Sequence, residues 1–193
     1  MSLVDYVKKS LQVYERILFS IPLHDKIEEA ILKTVRTLTN GESLLVCGNG
    51  GSASDAQHIT GELVGRFLKE RKALNVICLS DNPTVLTALG NDYGYDSIFS
   101  RQVEAYGKKE GILLGLSTSG NSPNVISAFE SAKKIGMLTI AFTGESGGKL
   151  EPIADILINI PSLLTPLIQQ GHLLLYHYFC DQIEKRITTQ RAE

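Results

Sequence analysis

The apolar positions of this chain change their period along its length. Between residues 3 and 20 they fall at Leu3, Val4, Val7, Leu11 and Tyr14, and between 24 and 39 at Ile27, Ile31, Val35 and Leu38. Spacings of three and four predict two amphipathic helices, the second closed by Asn40 and Gly41. The pattern then turns into short unbroken apolar runs: SLLVCG, LNVICLS, GILLGLS, MLTIAFT and DILINIP. Such runs, separated by helical segments, are the strands of a parallel sheet covered on both faces. Helices are predicted over ASDAQHITGELVGRFL, NPTVLTALG (with Pro83 in its first turn), DSIFSRQVEAYG and SPNVISAFESAKKIG. Thr165 and Pro166 open a long helix to about Arg186, and the closing TTQRAE is expected to fray. The fold class that follows is α/β, a three-layer αβα sandwich on a five-stranded parallel sheet. One domain is expected over 1–193, with N-terminal helices in 1–40, an αβ core in 41–163 and a C-terminal helix in 164–186. The stripes of the first two helices need cover, either from their own domain or from another subunit.

Composition narrows the function classes. With 193 residues, 43% hydrophobic and 21% charged, the chain is long enough for one sizeable core. A net charge of -2 and no long run of one sign leave no electrostatic footprint for nucleic acid. Cys47, Cys78 and Cys180 are widely spaced and odd in number, which predicts reduced, mostly buried thiols. The first twenty residues mix charges among their apolar positions, unlike a signal peptide, and no run reaches the ~18 apolar residues of a membrane span. A cytoplasmic protein without membrane or nucleic-acid partners is expected.

The first and third strands lead into loops built for ligands. Gly48-Asn49-Gly50-Gly51-Ser52 follows the first. With Ala53 it satisfies G-x-G-x-x-A, but the acidic residue after the second strand, Asp81, lies 33 positions beyond Gly48 rather than the ~20 of a dinucleotide fingerprint. No G-K-[ST] follows, so a Walker loop is absent. The loop after the third strand, Ser117 to Ser122, carries Ser117, Thr118, Ser119 and Ser122. Four hydroxyls beside a helix start can cradle a phosphate, where a simple cap needs only one. If these two strands are neighbours, both loops flank one crevice.

His58 and Glu62 stand four apart and share a helix face. That spacing suits two ligands of one metal, a base with its orienting partner, or an exposed ion pair. The C-terminal helix adds Gln169, His172 and His177 in LIQQGHLLLYH; its histidines are either functional or satisfied interior groups.

Together GNGGSASDAQHITGELVGRF, GNDYGYDSIFSRQVEA, LSTSGNSPNVI and TPLIQQGHLLLYH closely resemble the phosphoheptose isomerase family of sugar isomerase (SIS) domains, over about residues 40–186. The resemblance implies a flavodoxin-like fold and the interconversion of sedoheptulose 7-phosphate and D-glycero-D-manno-heptose 7-phosphate through a cis-enediol. That reaction opens the route to ADP- or GDP-activated heptoses of bacterial lipopolysaccharide or capsule. It further implies a homotetramer with active sites at subunit contacts and one zinc ion per subunit, held by His58, Glu62, Gln169 and His177. Substrate contacts carried over by position are Asn49, Gly50, Gly51, Ser52, Glu62, Asn91, Asp92, Ser117, Thr118, Ser119, Ser122 and Gln169. Glu62 is the expected carbon base, and His177 its partner at oxygen. His172 matches a family histidine outside the ligand set.

Three positions depart from the family pattern. Leu164, Leu167 and Gln170 stand where many relatives carry an acid, a base and a glutamate. They bear on local charge, sugar preference and an inter-subunit ion pair. Non-catalytic relatives share the fold, namely a tetrameric DnaA-binding protein and sugar-phosphate-sensing regulators. The intact His58, Glu62 and His177 set favours the enzyme over such a binding module.

Overall fold

The computed structural model describes residues 1–190. In chain order the elements are α1 (Leu3–Leu18), α2 (Ile21–Thr39), β1 (Leu44–Gly48), α3 (Gly51–Val64), β2 (Val76–Cys78), α4 (Pro83–Tyr93) and α5 (Ser100–Tyr106). They continue as β3 (Ile112–Ser117), α6 (Pro123–Ile135), β4 (Leu138–Thr143), β5 (Ile156–Asn159) and α7 (Thr165–Gln190). All strand pairs are parallel, and the sheet order is β2-β1-β3-β4-β5. Alternate strand residues face opposite cores, which is why each strand reads as a continuous apolar run. Leu44, Val46, Ile112, Leu114 and Leu116 pack with α1, α2, α3 and α7. Leu45, Cys47, Leu113 and Ala141 pack with α5 and α6 on the other side. The three cysteines are free and buried, and burial raises the thiol pKa of each.

The order makes β1 the turning point of the sheet. The chain leaves β1 for β2 on one side, then returns to pair β3 with β1 on the other, Leu44 opposite Ile112 through Gly48 opposite Leu116. The two loops singled out in the sequence therefore leave adjacent strand ends, where open α/β sheets bind ligands.

Several boundaries differ from the pattern-based expectation, each for a local reason. Helix α3 stops at Val64 instead of reaching Leu68. The Glu184 carboxylate accepts the backbone N–H groups of Phe67, Leu68 and Lys69 at 2.8, 2.7 and 2.7 Å and draws this segment off the helical course. The single helix expected from Asp96 to Gly107 is a 3-10 turn at Tyr95–Ser97 followed by α5; Gly94, at φ +85°, precedes the turn. At the far end, Thr188, Thr189 and Gln190 are helical rather than frayed, with the two threonine hydroxyls bonded back to the carbonyls of Glu184 and Lys185. The rest of that tail lies outside the described residues.

Helix α1 is closed at its start by a reciprocal Ser2–Asp5 capping box. It rests on the domain through Val13 and Ile17, while Leu3, Val4, Val7, Leu11 and Tyr14 are 78, 61, 46, 59 and 36% exposed. The predicted stripe is thus not the face that α1 turns to its own core. Leu173, Leu174 and Tyr178 of α7 are exposed as well.

Candidate active site at the β1–β3 crevice

Backbone geometry shapes one end of the crevice. A Cβ at Gly48 would collide with the backbone of Ser52, which is buried in the first turn of α3. Gly50, at φ +56°, turns the chain from β1 into α3. Between these glycines the Asn49 amide is clamped. It donates to Asn124 Oδ1 at 2.8 Å, accepts from Asn124 Nδ2 at 2.9 Å, and accepts from the Tyr95 hydroxyl at 3.0 Å. Asn124 is buried at the start of α6, so this exchange locks the two loops side by side. Ser122 occupies the N-cap of α6, yet its hydroxyl pairs with Ser117 at 2.9 Å rather than capping the helix. Neither N-cap residue caps its helix with a side chain, so both starts keep positive potential for an anion. Pro123 opens α6 without an N–H, and the Val125 N–H is taken by Asn124 Oδ1 at 3.0 Å, which leaves the N–H of Asn124 as the donor there. Thr118 accepts from the Gly144 N–H at 3.0 Å, and the exposed Ser119 accepts from the Asn121 N–H at 3.1 Å. Gly120, at φ +64°, lies so close to Gly147 that a Cβ would strike the latter's carbonyl. Asn91 and Asp92, at the end of α4, are exposed and bonded to each other at 2.8 Å. Tyr95 ties the segment that follows them to the crevice.

The other end is made by side chains of α3 and α7. His58, Glu62 and His177 each offer one ligand atom, and these atoms lie within 4.8 Å of one another. His58 Nε2 is 3.0 Å from Glu62 Oε1 and 3.5 Å from His177 Nε2. Gln169, further up α7, places its amide against Gly51, where a Cβ would collide with it. His172 is not part of this group. It is fully buried, with Nε2 3.1 Å from the Thr143 carbonyl, and burial pushes its pKa down to about 4. His177 is also lowered, first by burial and then by His58, with Glu62 opposing. Its ring is therefore neutral at neutral pH, with a lone pair to offer.

A SIS domain family model matches residues 5–144. The phosphoheptose isomerase of Helicobacter pylori (strain P12) is 50% identical over 163 residues, 84% of this chain and 85% of that protein. The phosphoheptose isomerase of Clostridium acetobutylicum is 42% identical over 187 residues, 97% of this chain and 95% of the relative. The chain belongs to the phosphoheptose isomerase family. A solved phosphoheptose isomerase from Francisella tularensis superposes with a TM-score of 0.90 at 39% identity, over 96% of this chain and 100% of that one.

Tested against the metal that the family resemblance implies, the donor set of this phosphoheptose isomerase homologue fits. Two imidazoles and a carboxylate converge, a combination suited to a borderline divalent ion. Below them Asp55 has one buried oxygen, Oδ2, with no hydrogen-bond donor, an uncompensated negative group beside the cluster. Asp55 and Tyr176 were missed by sequence reasoning. The Tyr176 hydroxyl lies 3.0 Å from His58 Nδ1 and 3.3 Å from Asp55 Oδ1. Asp55 was findable, three residues before His58 on the same helix face. Tyr176 reads as an ordinary core aromatic. Packing accounts for two of the three departures from the family pattern. Leu167 is buried in the core, and Gln170 bonds to Ser10 at 2.9 Å and Tyr6 at 3.2 Å on α1. Leu164 remains exposed just before α7.

Proposed function

We propose that this chain is an aldose–ketose isomerase interconverting sedoheptulose 7-phosphate and D-glycero-D-manno-heptose 7-phosphate. The observation that carries the reading is the meeting, in one crevice, of two uncapped helix starts with the Glu62, His58 and His177 group. The phosphate rests on the hydroxyls of Ser117, Thr118, Ser119 and Ser122 and on the Asn124 N–H at the start of α6. Asn49, Gly50, Gly51, Ser52, Asn91, Asp92 and Gln169 line the sugar. Glu62 removes the proton from the carbon next to the carbonyl and returns it to the neighbouring carbon. His177, neutral at working pH, moves the proton between the two oxygens, so that the reaction passes through a cis-enediol.

His58, Glu62, Gln169 and His177 are the residues that would hold zinc. The two roles compete, because a carboxylate or imidazole bound to the metal is a poorer base, so Glu62 and His177 would take protons only when released from it. When bound, zinc supplies a Lewis acid for the substrate's carbonyl oxygen. The exposed apolar residues of α1 and α7 support a homotetramer, with second copies covering these faces and completing the sites. Among the described residues no helix is long and apolar enough to cross a membrane. The reading places the enzyme in the cytoplasm, at the first step towards nucleotide-activated heptose for surface polysaccharide.

The test is NMR-followed incubation of the zinc-supplemented protein with sedoheptulose 7-phosphate. An aldoheptose 7-phosphate is expected, with turnover reduced at least ~100-fold in a folded Glu62→Gln variant that still binds the sugar. A folded, zinc-loaded protein that binds sedoheptulose 7-phosphate without converting it overturns the isomerase and leaves a sugar-phosphate-binding module.

A further inference from the structure

The His58 side chain is 43% exposed, so packing alone does not fix its ring. Tyr176 beside it is 1% exposed, and its ring meets that of His58 edge-on at 5.4 Å between centroids. The tyrosine hydroxyl is thus a fixed point against which the imidazole can be set. We propose that Tyr176 and Asp55 form a hydrogen-bonded relay that holds His58 with Nδ1–H towards the tyrosine, so that Nε2, beside Glu62 and His177, is the nitrogen left for a metal ion. Both are then positioning residues for the metal-binding group; the inference rests on the zinc reading above and adds its support.

The direction of the relay follows from counting hydrogens. The tyrosine hydroxyl has one hydrogen and two neighbours, Asp55 Oδ1 at 3.3 Å and His58 Nδ1 at 3.0 Å. An ionised carboxylate only accepts, and the second oxygen of Asp55 is buried without a donor. Tyr176 therefore donates to Asp55, which leaves its oxygen lone pair for the Nδ1–H of His58. Reversing the chain would strip Asp55 of its remaining donor. Glu62 Oε1, 3.0 Å from His58 Nε2, likewise only accepts, so without a metal that contact carries a proton on Nε2; a bound metal ion takes that proton's place while the Nδ1–H stays on Tyr176. Charge points the same way. A divalent cation held by His58, His177 and Glu62 is neutralised by two carboxylates, Glu62 directly and Asp55 through two hydrogen bonds. That gives a half-buried Asp55 a compensating partner. Metal-binding histidines generally hand their other N–H to such an outer acceptor. On its far side His177 is flanked by Tyr176 and Phe67, at 5.0 and 5.9 Å between ring centroids, so the relay tyrosine packs on the second imidazole as well.

The test uses the full chain with 15N-labelled histidine, loaded with zinc, as wild type, Tyr176→Phe and Asp55→Asn. The wild type should show His58 ligated through Nε2, with a slowly exchanging, hydrogen-bonded Nδ1–H. In Tyr176→Phe, which keeps the buried ring, that proton should exchange freely, and zinc affinity in chelator competition should fall about 10- to 100-fold. Asp55→Asn retains an acceptor without the charge, so the Nδ1–H signal should persist while affinity falls less. Ligation of His58 through Nδ1 overturns the relay. So does a Tyr176→Phe protein with unchanged proton exchange and zinc affinity, or a wild type that takes up no zinc. Conversion of sedoheptulose 7-phosphate, followed separately, judges the isomerase reading independently of these outcomes.

Discussion

The two ends of the crevice are built by different means. At the strand ends, Gly48 to Ser52 and Ser117 to Ser122 are contiguous stretches whose shape is set by backbone turns and by the Asn49–Asn124 exchange. On the helices, His58 and Glu62 come from α3 and His177 from α7, and their placement depends on side chains that hold other side chains. The contrast matches the two tasks proposed for them. A phosphate is the same group before and after isomerisation, so a permanent cradle of hydroxyls and N–H groups serves it throughout. The reacting carbons exchange protons, which calls for titratable groups whose protonation changes within a turnover.

The sharpest way to separate the ends is kinetic. Glu62→Gln should lower kcat by roughly 10²- to 10⁴-fold with KM within a few-fold, in a steady-state assay of sedoheptulose 7-phosphate conversion. A variant that loses affinity and keeps kcat would assign Glu62 to the cradle and erase the division of labour.

The next largest effect is on stability and belongs to the helical end. Arg71 and Glu184 form an ion pair whose side chains are each only 2% exposed, at 3.3 Å. Burial pushes the Glu184 carboxyl up, but three backbone N–H groups and Arg71 outweigh it and hold it below its ordinary value. Glu184→Ala should cost about 3–5 kcal/mol in chemical denaturation and loosen Phe67 against His177.

A third prediction concerns the join between the ends, where His172 of α7 meets the Thr143 carbonyl at the end of β4. Its folded-state pKa, about 4, lies below the ordinary 6.5, so the unfolded chain takes up the proton first. This contribution is fully present above about pH 6.5 and is lost as pH falls towards 4, by roughly 3 kcal/mol in all. Denaturation at a series of pH values should show the slope, and His172→Gln should flatten it. The smallest effect is expected at the cradle. Ser122→Ala removes one hydroxyl of several and should raise KM by a factor of ~5–10, with kcat nearly unchanged.

The loop end was legible in the sequence because its parts are consecutive. Glycines and serines at strand ends announce themselves, and only the pairing of β1 with β3 had to be supplied by the fold. The helical end was legible in fragments. Four-residue spacing joined His58 to Glu62, and the two histidines of α7 stood out in an apolar helix. Their spacing alone did not say which joins the cluster. The family resemblance put His177 in it and His172 outside, and helix phase is the physical reason, since His177 meets α3 whereas His172 turns to β4. Tyr176 stayed hidden because its ring satisfies the core pattern and only its hydroxyl has a task. Likewise the end of α3 at Val64 is set by Glu184, far along the chain, which no local propensity records. Helix α1 misled for the opposite reason. It has more apolar positions than one face can bury, so the stripe read from the sequence is the exposed one.

Helix α3 carries both ends on one rigid rod. Gly51 stands at its first residue and His58 seven positions on, which at 1.5 Å per residue is about 10 Å along the axis. That spacing works as a ruler whose graduations cannot be stretched. A single residue inserted between Gly51 and His58 would advance the imidazole by about 1.5 Å and swing it through about 100°, out of reach of His177. Evolution can retune this crevice for a sugar of different length by changing side chains or by moving the loops, but not by editing the helix one residue at a time.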